Sequence, residues 1–375
     1  MKKEILKAAF KPLTLVNRII KKDEELIFFY SNLGFRDNVK AFYDYLIQQK
    51  YNEKYKIVVS INDAEDYAKN TPDNVLFVGN KQGIKYFMKA KYSFYCFGKY
   101  PIKPSKNQMV VNLWHGTPLK KIGNLEKGLE KIDYNFFTLV VASSPLYKPI
   151  MAKIFGCNED QVVITGNPRN DELFIENKET DVSIRGGADK VILWLPTYRE
   201  YNEEYVVSIL KKSQLESLNE RLKKDNCKMI IKLHPLQTAS VKADQYSNIE
   251  FATQKDLNKK GISVYALLRS ADALITDYSS VYFDYMLLNR PIAFTVDDIE
   301  EYRKKRGFVF ENPFEYMPGM KLSTFEDLEQ YVADIINGDD PFAAEREKVN
   351  MIINSYNDGN SCRRVEEKVF GRHAL

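Results

Sequence analysis

Residues 109–113, Met-Val-Val-Asn-Leu, run directly into Trp114-His115-Gly116-Thr117-Pro118-Leu119-Lys120, and this junction is the most informative place in the chain. The apolar run predicts a buried strand that ends in a turn containing glycine and proline. His115 then lies at the carboxyl end of the strand, where open α/β sheets bind their ligands. An unperturbed imidazole titrates near neutral pH, which makes His115 a candidate general base. A half-buried structural histidine is the alternative that this local context leaves open.

Short apolar segments of the same kind alternate with helical stretches on both sides of this junction. The predicted strands are Leu26–Tyr30, Ile57–Ile61, Val75–Val78, Tyr92–Cys96, Met109–Leu113, Leu139–Ala142, Val162–Thr165, Val191–Leu195, Met229–Leu233, Ile249–Phe251, Ala273–Thr276 and Ile292–Thr295. Helices are predicted between them, among others over Glu204–Lys224. Such alternation favours parallel, doubly wound sheets. The predicted fold class is therefore α/β, with two Rossmann-like domains facing a cleft.

The composition divides the chain into four parts. Residues 1–22 are predicted to form a basic amphipathic helix, 23–180 the first Rossmann-like domain and 190–342 the second. The polar span Asn177–Lys190, which contains two adjacent glycines, is predicted to be the linker between the domains. Residues 343–375 are predicted to contain a helix that returns to the first domain.

The amino-terminal segment carries an apolar stripe and a basic face at helical spacing. The stripe consists of Ile5, Ala9, Leu13, Val16 and Ile20, and the basic face of Lys7, Lys11, Arg18 and Lys22. Pro12 is expected to kink or restart the helix. This pattern favours contact with an anionic membrane surface. A packing helix with a solvated basic side is the alternative.

Bulk composition excludes several other classes of protein. A net charge of +4 on 375 residues does not indicate a nucleic-acid partner. The four cysteines are widely spaced and support neither a zinc site nor a disulfide framework. No run approaches the roughly 18–20 apolar residues that a transmembrane helix needs. The chain has neither a GxGxxG nor a Walker A pattern, which disfavours hydride transfer on a classical dinucleotide, and no cofactor is predicted. Paired acids near the histidines are missing too, so no metal is predicted.

Polar residues follow the predicted strands at four further places. The candidates are Asn167 and Arg169, Thr197 and Arg199, His234, and Asp277 with Ser279 and Ser280. Arg169 either meets an anion or forms a loop salt bridge. His234 would face His115 across the cleft, one acting as base and the other donating to phosphate. Ser279 or Ser280 is predicted to cap the next helix, whose free amides would receive a phosphate, although a plain cap without ligand is the alternative.

A mixed run of charges follows the last of these places. Asp298 begins an acidic segment, and Arg306 stands beside Gly307 in a basic one. Such runs are usually solvated faces. Arg306 is the one predicted to lie near a ligand, because a planar guanidinium suits phosphate.

These motifs, in this order, resemble those of the CDP-glycerol glycerophosphotransferase family, the teichoic acid primases and polymerases of Gram-positive bacteria. The shared stretches are Arg36-Asp37-Asn38, Trp114 to Lys120, Gly166-Asn167-Pro168-Arg169, Pro196-Thr197-Tyr198-Arg199, His234-Pro235, Thr276-Asp277-Tyr278-Ser279-Ser280, Asp298 to Tyr302, Arg306-Gly307-Phe308 and Asn357-Asp358-Gly359. They extend over nearly the whole chain.

The resemblance implies a GT-B-like fold and a reaction at the cytoplasmic face of the cell membrane. Glycerol phosphate would pass from CDP-glycerol to a hydroxyl of a lipid-linked acceptor, of the undecaprenyl-diphosphate-disaccharide type, with release of CMP. It implies that His115 is the base and that His234, Ser279 and Ser280 hold the donor pyrophosphate. The donor would also meet Thr197, Arg199 and Asp277, with Asp298 and Arg306 near its polyol phosphate. Gly116, Thr117, Asn167 and Arg169 are further candidates for the site.

Three alternatives stay open at this point. The donor could be CDP-ribitol, since related enzymes share these motifs. Glu311 follows Phe310 where the family often has aspartate, which weakens any assignment of donor specificity to that end. A GT-B glycosyltransferase that uses a nucleotide sugar is the second alternative. An inactive scaffold of a wall- or capsule-assembly complex is the third, against which the retained histidines and serines argue.

Overall fold

A computed structural model of the chain describes residues 2–67, 71–197, 204–233 and 245–371, with side chains from Phe10 onward. The chain divides into two compact units. Unit 1 comprises residues 1–117, 122–171 and 355–375, and unit 2 comprises residues 118–121 and 172–354. The segment Pro118–Lys121 therefore belongs to unit 2, although the residues before and after it belong to unit 1.

Unit 1 is built on a seven-stranded sheet. Its strands are β1 (Asp23–Tyr30), β2 (Lys56–Ser60), β3 (Val75–Val78), β4 (Ala90–Tyr95), β5 (Met109–Asn112), β6 (Leu139–Ala142) and β7 (Val162–Ile164). The order is β3-β2-β1-β4-β5-β6-β7, and the pairings are parallel. The interior strand β1 is buried continuously over its last five residues, as a parallel strand covered on both faces must be.

The helices of unit 1 cover this sheet. They are α1 (Lys2–Ile19), α2 (Asp37–Gln48), α3 (Tyr51–Lys54), α4 (Asn80–Lys89), α5 (Tyr147–Phe155) and the carboxy-terminal helix Ser361–Phe370. That last helix shares one apolar core with α2, since Cys362 and Val365 pack in the same cluster as Val39 and Phe42. The last residues of the chain are thus part of unit 1.

Helix α1 lies against unit 1 through polar side chains. Asn17 is fully buried, and its amide donates to the Lys103 carbonyl at 3.0 Å and to the Gln108 side chain at 2.9 Å. The hydroxyl of Thr14 accepts from the Lys103 N–H at 3.2 Å. The helix is continuous through Pro12, so the predicted restart does not occur.

Apolar side chains of the same helix are left outside. Leu15, Val16 and Ile19 are 64%, 40% and 83% exposed. Lys22 was predicted to extend the basic face, and this prediction is wrong: the residue lies beyond the helix and is buried. Its ammonium donates to the side-chain oxygen of Asn17 at 2.7 Å. This hydrogen bond satisfies the buried oxygen, which would otherwise lack a donor.

Unit 2 contains a six-stranded parallel sheet and a small hairpin. Its strands are β8 (Lys190–Leu195), β9 (Tyr205–Val207), β10 (Leu210–Lys211), β11 (Cys227–Lys232), β12 (Ile249–Ala252), β13 (Ala273–Thr276), β14 (Ile292–Thr295) and β15 (Met320–Leu322). The sheet order is β12-β11-β8-β13-β14-β15, which is the 3-2-1-4-5-6 order of dinucleotide-binding folds. The predicted α/β class with two Rossmann-like domains is confirmed.

The helices of unit 2 alternate with these strands. They are α6 (Lys178–Arg185), α7 (Leu215–Lys224), α8 (Gln254–Lys260), α9 (Val264–Ser270), α10 (Val281–Tyr285), α11 (Ile299–Lys305), α12 (Phe325–Asn337) and α13 (Ala343–Ile353), and the carboxy-terminal helix of unit 1 is α14. None of the helices in the described ranges is long and apolar enough to cross a bilayer.

Two predictions about unit 2 are wrong. The span Asn177–Lys190 is not a plain linker, because Asn177 caps helix α6 by accepting from the Thr180 N–H. The helix predicted over Glu204–Lys224 begins only at Leu215, and the antiparallel hairpin β9–β10 occupies its first part. The β-branched pair Val206-Val207 favours the hairpin locally.

Candidate functional site

The turn after β5 is strained and carries His115. The Asn112 side chain accepts from the Trp114 N–H at 3.0 Å, which starts the turn. Trp114 has φ +54° and Gly116 has φ +118°. A bulky residue in the left-handed region costs about 1–3 kcal/mol and persists only where its surroundings fix it. Glycine is required at position 116, because side chains disfavour that conformation.

Two motifs distant in sequence fix this turn. The Asn38 amide donates to the carbonyls of Leu113 and Trp114 at 2.9 and 3.0 Å. The Arg169 guanidinium donates to the His115 carbonyl at 2.9 Å and to the Asp37 carboxylate at 2.8 Å. The turn is therefore held from outside by the first residues of α2 and by the loop after β7.

The imidazole of His115 is packed between aromatic rings. Its ring centroid lies 5.2 Å from that of Phe97, in a stacked arrangement, and 3.8 Å from that of Trp114. Burial lowers the pKa of His115 to about 4; the Asp37 carboxylate acts in the opposite direction, and Arg169 lowers the pKa further. The imidazole is consequently neutral near pH 7 and can accept a proton.

Arg169 and its neighbours belong to this scaffold. The Arg169 side chain is 9% exposed and its ion pair with Asp37 is the loop salt bridge that the sequence left as one alternative. Thr117 is buried. Asn167 is buried as well, and its Nδ2 has no hydrogen-bond partner within the described residues. Arg169 thus acts on the main chain of His115. Asn167 Nδ2 and Asn170 Oδ1 are two buried polar atoms of this loop that could meet a ligand or water.

The corresponding edge of unit 2 brings Thr197 and Asp277 together. Strands β8 and β13 are neighbours, with Leu195 opposite Thr276, so the residues that follow them meet at the point where the strand order reverses. Asp277 accepts from the Thr197 N–H at 3.0 Å and also from its hydroxyl. Its second oxygen accepts from the Ser279 N–H at 3.0 Å.

Ser279 and Ser280 are half-buried beside this carboxylate. The prediction that a serine side chain caps α10 is wrong, since Ser280 at the cap position makes no such hydrogen bond within the described residues. Its backbone is helical, at φ −63° and ψ −11°, rather than extended as an N-cap requires. Helix α10 has only five residues, so its amino terminus is too short to be an anion site. The hydroxyls of the two serines are the groups that could bind a phosphate.

Asp298 is bound to the tyrosine of the TDYSS motif. The Tyr278 hydroxyl donates to the Asp298 carboxylate at 2.9 Å. Burial and the Asp298 charge raise the pKa of Tyr278 well above its ordinary value, so the phenol stays a donor. The Tyr278 ring also lies 4.6 Å from Tyr302 and 5.4 Å from Phe308, between ring centroids.

The segment after Arg306 pairs with the end of the WHGTPLK motif. The Lys121 N–H donates to the Gly307 carbonyl at 3.1 Å, and the Val309 N–H to the Leu119 carbonyl at 2.8 Å. The Lys120 ammonium lies 5.6 Å from the centre of the Tyr302 ring. Arg306 itself follows the last residue of helix α11, and its N–H donates to the Tyr302 carbonyl at 2.9 Å.

Sequence reasoning missed several residues of these two arrangements. Asp37 and Asn38 were noted only as a shared stretch, and Tyr278 and Lys120 had no role. The only sequence signal for these residues was that they lie in the motifs shared with the family. Those motifs did not indicate what each residue does. His234 and Arg199 lie outside the described residues. Within the described ranges, no cluster of three or more histidine, cysteine or acidic side chains could hold a metal ion.

The comparisons with known proteins agree on one family. The model of the family described as CDP-Glycerol:Poly(glycerophosphate) glycerophosphotransferase matches residues 13–371. A teichoic acid poly(glycerol phosphate) polymerase of Bacillus spizizenii is 29% identical over 94% of this chain and 94% of its own length. A teichoic acid glycerol-phosphate primase of Bacillus subtilis is 28% identical over 89% of each chain.

A solved structure agrees with these relatives in fold. The wall teichoic acid polymerase TagF superposes with a TM-score of 0.76 at 23% identity, over 98% of this chain and 94% of that one. This confirms the expected GT-B-like fold class. The family match covers nearly the whole chain, from α1 to the end of α14. The protein belongs to the CDP-glycerol:poly(glycerophosphate) glycerophosphotransferase family, a family of transferases.

Proposed function

We propose that this protein transfers glycerol phosphate from CDP-glycerol to a hydroxyl of a lipid-linked saccharide acceptor, in the synthesis of wall teichoic acid or a related polymer. The observation that carries the proposal is the neutral imidazole of His115 on a strained, externally held turn. In its neutral form this imidazole can accept the proton that an attacking alcohol must lose. Proton transfer by a positioned side chain contributes about 10²–10⁴-fold to the rate.

The reaction exchanges one phosphate ester bond for another. His115 takes the proton of the acceptor hydroxyl while its oxygen attacks the β-phosphorus of CDP-glycerol. The bond between that phosphorus and the bridging oxygen breaks, and CMP leaves with the electron pair as added negative charge. Positioning and charge stabilisation carry most of such a reaction.

Unit 2 is the proposed donor site. The hydroxyls of Ser279 and Ser280 are available beside Asp277, which supports their contact with the pyrophosphate. His234 and Arg199 are proposed to add positive charge or hydrogen bonds there, and one such donor is worth roughly 3 kcal/mol in the transition state. Asp298 and Arg306 are proposed to meet the glycerol phosphate end.

Attachment to the cytoplasmic face of the membrane is part of the proposal. Helix α1 docks on unit 1 through Thr14 and Asn17 and leaves Leu15, Val16 and Ile19 exposed. Exposed apolar residues beside basic ones are typical of helices that lie in an anionic bilayer surface. This orientation supports a peripheral site next to a lipid-linked acceptor.

The test is acceptor-dependent release of CMP. The protein is incubated with CDP-glycerol, CDP-ribitol and nucleotide sugars, with and without a lipid-linked disaccharide acceptor. Release from CDP-glycerol that requires the acceptor is expected. His115→Ala is expected to abolish transfer while the Kd for CDP-glycerol, measured by calorimetry, stays nearly unchanged. Release only from CDP-ribitol or a nucleotide sugar would contradict the proposed donor, and equal loss of donor binding would contradict the role of His115.

A further inference from the structure

The segment Arg36-Asp37-Asn38 takes no part in the mechanism above, yet it contacts the two loops that surround His115. Asn38 is fully buried and uses both ends of its amide. Its nitrogen donates to the carbonyls of Leu113 and Trp114, and its oxygen accepts from the Arg169 N–H at 3.0 Å. A leucine of similar size could make none of these bonds, so the position is chemically demanding.

Asp37 links α2 to the His115 turn through the side chain of Arg169. Its carboxylate accepts from the Arg169 guanidinium, and the same guanidinium nitrogen donates to the His115 carbonyl. Asp37 has φ +62°, a left-handed conformation that non-glycine residues adopt rarely, and its side chain accepts from the Asn38 N–H at 2.7 Å. Strain of this kind concentrates at functional sites, because the surrounding structure has to maintain it.

The imidazole of His115 is restrained by its neighbours in the turn and by a hydrogen bond with its own main chain. Within the described residues its ring is held by stacking on Phe97 and Trp114, and its main chain by Asn38 and Arg169. A catalytic base is ordinarily oriented by a third group that hydrogen-bonds to its ring. Here the orientation depends on the turn that carries the ring.

We infer that Asp37 and Asn38 are positioning residues for His115, which, through Arg169 and the Trp114–Gly116 turn, hold the imidazole where the acceptor hydroxyl must meet it. The inference rests on the proposed function for its effect on catalysis. The position of the ring is a separate property and can be measured without turnover. A displacement of about 1 Å at a reacting group can cost on the order of 10²-fold in rate.

The test compares Asp37→Asn with a matched ion pair elsewhere. Asp181 and Arg269 in unit 2 form a comparable pair at 3.0 Å, with side chains 31% and 10% exposed against 17% and 9% for Asp37 and Arg169. Asp37→Asn is expected to lower kcat about 100-fold while the KM and Kd for CDP-glycerol stay within about twofold. Asp181→Asn is expected to leave all three unchanged. Asp37→Glu, which keeps the charge, is expected to recover part of kcat.

A second measurement does not depend on activity. The imidazole protons of His115 are shifted by the ring currents of Phe97 and Trp114, and their resonance is identified by its loss in His115→Gln. Asp37→Asn, or Asn38→Asp if that variant does not fold, is expected to move this resonance at pH 7, and Asp181→Asn to leave it in place. An unmoved resonance with wild-type kcat would overturn the inference, as would a rise in donor Kd equal to the loss of kcat. If the wild-type protein transfers nothing from CDP-glycerol, the proposed function fails, and the resonance alone decides the positioning role.

Discussion

The Asp277 carboxylate binds Thr197 twice, through the main-chain N–H at 3.0 Å and through the hydroxyl. Its other oxygen holds the Ser279 N–H, and the residue is only 5% exposed. Asp277 thereby fixes the loops after two adjacent strands at the reversal of strand order. We interpret it as the residue that shapes the proposed donor site.

Replacing Asp277 by asparagine should weaken both folding and donor binding. The new amide group would face an N–H that needs an acceptor, and a buried unsatisfied donor costs about 1–3 kcal/mol. Because the loops that hold the serines would shift, we expect the Kd for CDP-glycerol to rise about tenfold, equivalent to about 1.4 kcal/mol. Chemical denaturation and calorimetric titration of the same variant measure the two effects.

Asp272 is the matched control for this variant. It accepts from the Val191 N–H at 2.7 Å at the opposite, amino-terminal edge of the same sheet. Asp272→Asn should lose a similar amount of stability and keep its donor affinity. An equal rise of Kd in both variants would mean that Asp277 acts only through global stability.

Replacing Ser280 by alanine should weaken donor binding with little loss of stability. The side chain makes no capping bond in the described structure, so its removal is expected to cost less than about 0.5 kcal/mol. Thr324 is a true cap, which accepts from the Asp327 N–H at 3.2 Å, and Thr324→Ala should cost about 1 kcal/mol without changing the Kd for CDP-glycerol. Donor affinity that stays constant in Ser280→Ala would remove Ser280 from the donor site.

Most strands were accessible from sequence because parallel sheets require continuous apolar runs, whereas the order of the strands within each sheet was not predicted. Each predicted strand corresponds to an observed one, but the hairpin strands β9 and β10 and the edge strand β15 were not predicted. The hairpin β9–β10 was missed because its strands have only three and two residues, and Val206-Val207 was assigned to the helix that begins at Leu215. The helix in the supposed linker was missed because a pair of glycines was taken for a loop, whereas Gly186 ends the helix in a left-handed conformation.

The candidate site was predictable to the extent that it follows strand ends. His115, Thr197 and Asp277 lie after β5, β8 and β13, as expected. The partners of Arg169 were not predictable, because Asp37 is 132 residues away in sequence and only the fold brings them together. The sequence predicts which residue types lie at the edge of a sheet. Tertiary contacts decide which of these side chains bind each other and which stay available for a ligand.

Lowering the pH should destabilise the wild-type protein more than His115→Gln. The pKa of His115 is about 4 in the folded state against an ordinary 6.5. Between these two pH values the imidazole is protonated in the unfolded chain and neutral in the folded one. The contribution of the neutral imidazole is complete above pH 6.5 and is lost as the pH falls towards 4. At pH 4.5 the difference should reach about 2.5 kcal/mol. Parallel pH profiles of unfolding free energy for the two proteins would contradict this.

Making the exposed side of α1 polar should abolish membrane binding without unfolding the protein. Leu15 and Ile19 are 64% and 83% exposed, so the double variant Leu15→Gln/Ile19→Gln loses little packed surface, and Asn17 still anchors the helix. We expect sedimentation with phosphatidylglycerol vesicles to fall steeply in this variant. Wild-type binding should itself weaken as salt rises, because salt screens the attraction of basic residues to the headgroups. Met351 and Ile352 on α13 are 67% and 50% exposed, and their replacement by glutamine is the control. If the two double variants bind vesicles equally, α1 is a packing helix with a solvated face and not the membrane contact.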